Sequence, residues 1–209
     1  MKLSSVAFNR HLAHMGQSVQ WRRSFACPCT NPHSGAAKPG CPVCGGKGRA
    51  WHAAVNCTAA VCSQKAQLEW AKFGQYESGD TVLSLASDSV IYDMSQFDRV
   101  VLLNSTDRFS MPLVRGNTDK LRFSAQSISR VFWLDANNAI VDGGIPEVGA
   151  DGALTWLAGE PAIGTTYTIE GQRMPEYFCW GQFPSDRGIH QGAQLPRKAI
   201  LRKFDLFGK

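Results

Sequence analysis

Residues 24–48 read SFACPCTNPHSGAAKPGCPVCGGKG. The stretch holds Cys27, Cys29, Cys41 and Cys44, with Pro28, Pro32, Pro39 and Pro42 between and beside them. Little in it could form an apolar core, so something else must hold its shape, and a bound metal ion would do so. The thiols follow the pattern C-x-C-x11-C-x2-C. The half CPVCGGKG has the form of a knuckle, in which backbone amides point at the sulfurs and following glycines accept positive φ. Gly45, Gly46 and Gly48 suit that role, and Lys47 and Arg49 can offset the charge of a tetrathiolate. Four thiolates close a tetrahedral shell and leave no position for a water, so the expected cofactor is one structural zinc ion. The CPC half is tighter than the usual spacing of two to four residues. His33, between the halves, is therefore the alternative ligand to Cys29.

On the N-terminal side, residues 4–15 are expected to form a short helix capped by Ser4 or Ser5, and QSVQWRR (17–23) to be extended. Beyond Trp51 come short apolar stretches separated by Gly, Asn, Asp and Pro: AQLEWAKF, DTVLSLA, FDRVVLL, KLRFSA, ISRVFWL, ALTWLA, TTYTIEG, PEYFCWG and KAILRKF. Their spacing of 8–14 residues predicts a mainly β fold, an antiparallel sandwich or barrel. DANNAIVDGG and VGADGALTW read as hairpin turns. The expected organisation is a zinc module with a short helix over residues 1–50 and a β-rich domain over 51–209. Segments 74–80 and 184–196 are expected to be exposed loops. Phe204, Leu206 and Phe207 crowd the chain end, where frayed polar residues are usual, so the tail is expected to dock, as an edge strand. Cys57, Cys62 and Cys179 read as small apolar residues of the core, and most of the six tryptophans as core as well.

The formal net charge of +5 is modest. An odd count of seven cysteines, with no apolar leader, argues for a reducing setting rather than a disulfide framework. No run of about 18 apolar residues is present, so no membrane helix is expected. The sequence has no G-x-S-x-G, H-E-x-x-H, P-loop or dinucleotide fingerprint, and the five histidines are scattered, His11 and His14 included. Asp186 and His190 share a polar loop that reads as a contact surface. A catalytic role is not expected.

Several segments together resemble neck or head-to-tail connector proteins of contractile-tailed bacteriophages: GQSVQWRR with the cysteine stretch and RAW, AKFGQYESGDTVLSLASDS, FDRVVLLNSTDRFS, and PEYFCWGQFPSDRGIHQGAQLPRKAILRKFDLFGK. The resemblance covers nearly the whole chain. It implies a structural virion protein, formed in the host cytoplasm, that assembles with itself into a hexameric or dodecameric ring. It also implies neighbours among portal, connector or tail proteins, with genomic DNA passing through the lumen and binding weakly at most. It carries no catalytic residues and no membrane partner. The alternatives are another tail or baseplate component, or a zinc-ribbon protein that binds nucleic acid.

Overall fold

The computed structural model describes residues 4–62, 64–72, 74, 79–117, 119–149, 151–182 and 188–207. In chain order the elements are α1 (Ser5–Met15), β1 (Gln17–Arg22), β2 (Ser24–Ala26), β3 (Arg49–Trp51), β4 (Val55–Val61), α2 (Gln64–Ala71), β5 (Thr81–Leu85), β6 (Arg99–Leu102), β7 (Asp107–Val114) and β8 (Ala125–Leu134). They continue with β9 (Ile140–Asp142), β10 (Glu147–Val148), β11 (Leu154–Thr155), β12 (Thr166–Arg173), β13 (Glu176–Gln182), β14 (Ile189–His190), β15 (Ala193–Gln194) and β16 (Arg197–Lys203). The mainly β class expected from the sequence is what forms, and of the two expected architectures it is a barrel.

The chain makes two compact units, Met1–Asn104 with Glu176–Lys209, and Ser105–Pro175. This boundary falls inside the 51–209 span, and β1, from the 1–50 span, is a stave of the barrel. In the first unit six antiparallel strands close in the order β1-β4-β5-β16-β13-β6. Alternate residues point inward, as strand pleating requires. Val19 and Trp21, Ala59, Leu83 and Leu85, Val100 and Leu102, Cys179, and Ala199 and Leu201 form the interior. Closure removes the sheet edge, so β16 is not the edge strand expected of the tail. It lies between β5 and β13 and runs into a short 3-10 turn, Phe204–Leu206.

AQLEWAKF is also corrected, because most of it is helix α2. Its aromatic and apolar content resembles a strand, but Ala66 and Trp70, the two buried residues, are four apart. That is helical spacing, and Gln64, Lys65, Gln67 and Glu69 are good helix formers. Trp70 packs with Val82 and Ile200, the residues that β5 and β16 turn outward from the barrel. KLRFSA gives only an isolated bridge, Lys120 to Ala153, before β8 begins at Ala125. Helix α1 forms as expected, with Ser4 Oγ accepting from the Ala7 amide. Cys179 is fully buried, whereas Cys57 and Cys62 are only half-buried. Trp21 and Trp70 are buried, and the other four tryptophans half-buried. Of the two expected loops, residues 75–78 and 184–187 lie outside the described residues, Asp186 among them; 189–194 form the small β14–β15 hairpin.

The second unit is a sheet in the order β7-β12-β8-β9 over a core of Leu113, Leu121, Val131, Leu154, Tyr167 and Ile169. Both expected hairpins are present. Asp135 Oδ1 accepts from the Asn137 and Ala139 amides between β8 and β9, and Gly149 and Gly152 turn β10 into β11.

One buried carboxylate organises the first unit. Asp98 is fully buried, and its Oδ2 accepts from Trp21 Nε1 at 2.9 Å and the Ser95 amide at 3.0 Å. Its Oδ1 accepts from the Ser24 amide at 2.7 Å. The group thus joins β1, the start of β2 and the loop before β6. Asp98→Ala strands these donors away from water, so it is expected to destabilise the unit by about 3 kcal/mol. Urea unfolding followed by tryptophan fluorescence measures this, and a loss below about 1 kcal/mol would contradict it.

Candidate metal centre

The site lies at the tip of one long β-hairpin. In the barrel β1 pairs with β4, from Gln17 opposite Ala59 to Trp21 opposite Val55. The ladder continues past the barrel through His52 N donating to Arg23 O at 2.9 Å, and then through the β2–β3 ribbon, which pairs Ser24 with Trp51 and Ala26 with Arg49. Residues 27–48 are the loop that closes this hairpin, and all four clustered cysteines are in it.

Each thiol is fixed by a local turn. Cys27 N donates to Gly48 O at 2.8 Å, which ties the first half of the loop to the end of the second. Thr30 N donates to Cys27 O, while Gly45 N donates to Cys41 O at 2.7 Å and Lys47 N to Cys44 O at 3.1 Å. Gly45, Gly46 and Gly48 have φ of 58°, 82° and 72°, the left-handed region in which a side chain is strained. The knuckle geometry expected from CPVCGGKG is therefore present.

The four sulfurs lie within 4.8 Å of one another. Cys27 Sγ is 3.8 Å from Cys41 Sγ, and Cys29 Sγ is 3.5 Å from Cys44 Sγ. Both separations are far beyond the S–S bond of about 2.05 Å, so the pairs are not disulfides. A tetrahedral tetrathiolate with metal–sulfur bonds of about 2.3 Å needs sulfurs about 3.8 Å apart. The cluster is close to that arrangement, and the four residues can hold one metal ion. The one-residue gap in CPC does not keep Cys29 out. His33 is exposed and outside the cluster; its amide donates to Asn31 Oδ1 at 2.8 Å. His11 and His14 are likewise exposed on α1.

The surroundings favour thiolates. The amides of Cys44 and Val43 point at Cys41 Sγ and lower its pKa to about 6. Burial opposes ionisation of Cys44, but the Gly48 amide, the Cys29 thiol and the Gly46 amide outweigh it, and the net shift is downward. The Lys38 amide favours the Cys29 thiolate, yet burial and the three neighbouring thiols outweigh it and push Cys29 up to about 12. A cluster that readily gives up some protons and holds the last suits a dication, whose charge compensates the final ionisation.

Two features beside the site were not anticipated. Trp51, Phe97, Phe178, Phe204 and Phe207 gather against the ribbon, although they are far apart in sequence. No local pattern signals that cluster. The other was readable. Residues 1–68 contain eight Lys and Arg and no Asp or Glu, although the net charge of the whole chain is modest. Counting the two signs separately along the chain exposes it.

Purified protein is expected to carry one metal ion per chain, measured by inductively coupled plasma mass spectrometry. Cys29→Ser and Cys44→Ser should each lose most of it, while His33→Ala should retain it. Retention by Cys29→Ser with loss in His33→Ala would reassign the fourth ligand. The chain matches no known protein-family model, and no curated protein is significantly similar to it.

Proposed function

We propose that this protein is a structural component of a contractile-tailed virion, one that assembles head-to-tail into a ring in the neck, with structural zinc holding its long hairpin. All four donors of the metal centre are thiols, the set that zinc takes in closed structural sites. Three of them, Cys27, Cys41 and Cys44, are buried, so the ion acts as the core of a loop that has little other apolar packing.

The observation that carries the assembly reading is a pair of dissimilar exposed apolar surfaces. On the second unit, the outward face of the sheet aligns Val114, Thr166, Leu134 and Ile140 across four strands. Leu134 is 57% and Ile140 59% exposed. On the first unit, α1 has no buried residue and leaves Phe8 46% and Met15 65% exposed, one heptad apart on the same side of the helix. Exposed apolar patches on soluble units mark interaction sites. A closed ring needs a heterologous contact, and such a contact joins two different patches. The resemblance to connector proteins supplies the setting in which such a ring would act.

A second reading is a zinc-ribbon protein that binds nucleic acid, favoured by the acid-free first 68 residues. A lumen that passes DNA would also tolerate this charge, so the two readings separate on oligomeric state and on the strength of DNA binding.

Native mass spectrometry and sedimentation are expected to give a closed oligomer of six or twelve chains. The double variant Leu134→Asp/Ile140→Asp, altered only at exposed positions, should shift it to monomer without loss of fold. DNA affinity should be weak and fall steeply with salt. A protein that stays monomeric at high concentration and is missing from purified particles would overturn the ring. Tight binding by such a monomer would establish the second reading.

A further inference from the structure

The arm of the hairpin that leaves the metal site touches the C-terminal segment through Lys47 and Trp51, and the adjoining Phe97 through Arg49. Lys47 lies three residues beyond Cys44, and its Nζ is 5.1 Å from the ring centre of Phe204 and 5.6 Å from that of Phe207. The Arg49 guanidinium carbon is 4.2 Å from the ring centre of Phe97. Trp51 packs edge-on against Phe204 at 5.3 Å and Phe207 at 5.5 Å, and its Nε1 donates to Phe97 O at 2.9 Å. Phe207 completes the cluster against Phe97 and Phe178 and is only 8% exposed, although it lies two residues from the chain end.

Arg49 and Trp51 share a face because an extended strand repeats every two residues, and the turn at Gly48, φ 72°, brings Lys47 to the same rings. That face is correctly phased only if the knuckle before it is formed. The Gly48 carbonyl that holds Cys27 and the Lys47 amide that holds Cys44 O belong to the same turn as the thiols. Metal coordination and presentation of Lys47, Arg49 and Trp51 therefore require the same turn. The aromatic contacts and cation–π pairs on the far side depend on that presentation.

We infer that the metal site and the C-terminal segment Phe204–Phe207 are thermodynamically linked, so that metal binding docks the segment against the ribbon and metal loss releases it. The inference rests on the metal centre proposed above. It goes beyond it by giving the ion a second consequence: a chain end that docks or frees itself with metal occupancy. Linkage is reciprocal, so anything that undocks the segment must weaken the metal by the same factor.

The test uses full-length reduced protein, stripped by chelator and titrated with zinc chloride, with bound zinc and hydrogen exchange measured on the same samples. Peptides covering 198–207 are expected to exchange at least about fivefold more slowly once one equivalent is bound, while peptides covering 125–134 in the other unit stay unchanged. Phe207→Ala should lower zinc affinity by roughly tenfold in competition with a chromophoric chelator, and Ile163→Ala, at an exposed position, should not change it. Stoichiometric zinc binding with no change in 198–207 and full affinity in Phe207→Ala would overturn the linkage and leave the metal site standing. Failure of the stripped protein to take up zinc at all would overturn both.

Discussion

The first unit depends on the carboxylate of Asp98 being buried with donors on every side. A buried polar group is costly unless it is hydrogen-bonded, and here three N–H groups supply that compensation. They come from a side chain of β1, the first amide of β2 and a loop amide three residues upstream. Only one arrangement of these segments satisfies the group. It occurs where the hairpin leaves the barrel, at the base of the ribbon that carries the four-cysteine loop. The backbone of the same region is fixed by two 2.7 Å bonds with β13, Phe97 N to Cys179 O and Cys179 N to Asp98 O. Phe97 accepts a φ of 72° there, unusual for a residue with a side chain.

Closure of the barrel explains where the remaining structure goes. A closed sheet has no edge on which to add strands. Additional chain enters through the connections between staves, and two of them are enlarged. One lies between β1 and β4 and becomes the ribbon with its metal loop. The other lies between β6 and β13 and becomes the whole second unit, with its own core. The tail follows the same logic: β16 completes the cylinder, and what remains folds back as a turn whose aromatic rings meet the ribbon. Interior positions alternate along the staves, and both large residues such as Trp21 and small ones such as Ala59 and Ala199 fill the one core.

Much of this was legible locally. The four clustered cysteines, the knuckle glycines, the capped first helix, the β class and the two Asn/Asp-rich hairpins depend on spacing over fewer than about 25 residues. What was illegible depends on distant partners. Nothing near Phe207 shows that it meets Trp51, and nothing near Trp21 shows that its indole finds Asp98, 77 positions away. The tail was read as docking as an edge strand from its three large apolar residues, of which only Phe207 is buried. Its place as an interior stave could not be read, since that depends on β5 and β13 closing around it. AQLEWAKF failed for another reason: its apolar residues fit a strand by type and a helix by spacing, and tertiary burial of Ala66 and Trp70 decided for the helix.

The metal loop shows why a chain with a sound barrel would still recruit thiols. Between Cys27 and Gly48 only Cys27, Cys41 and Cys44 are buried, so apolar burial contributes almost nothing to ordering the loop. Such a loop at the end of a ribbon would otherwise fray, and fraying would reach the ribbon itself because β2 and β3 share only three paired positions. Four thiolates on one ion would fix the loop at two points on each arm, and the bond from Cys27 N to Gly48 O would pass that constraint directly into the ladder. The ribbon in turn carries Trp51 to the aromatic rings at the end of the barrel. Thiol cluster, ribbon and C-terminal segment thus form one continuous chain of contacts.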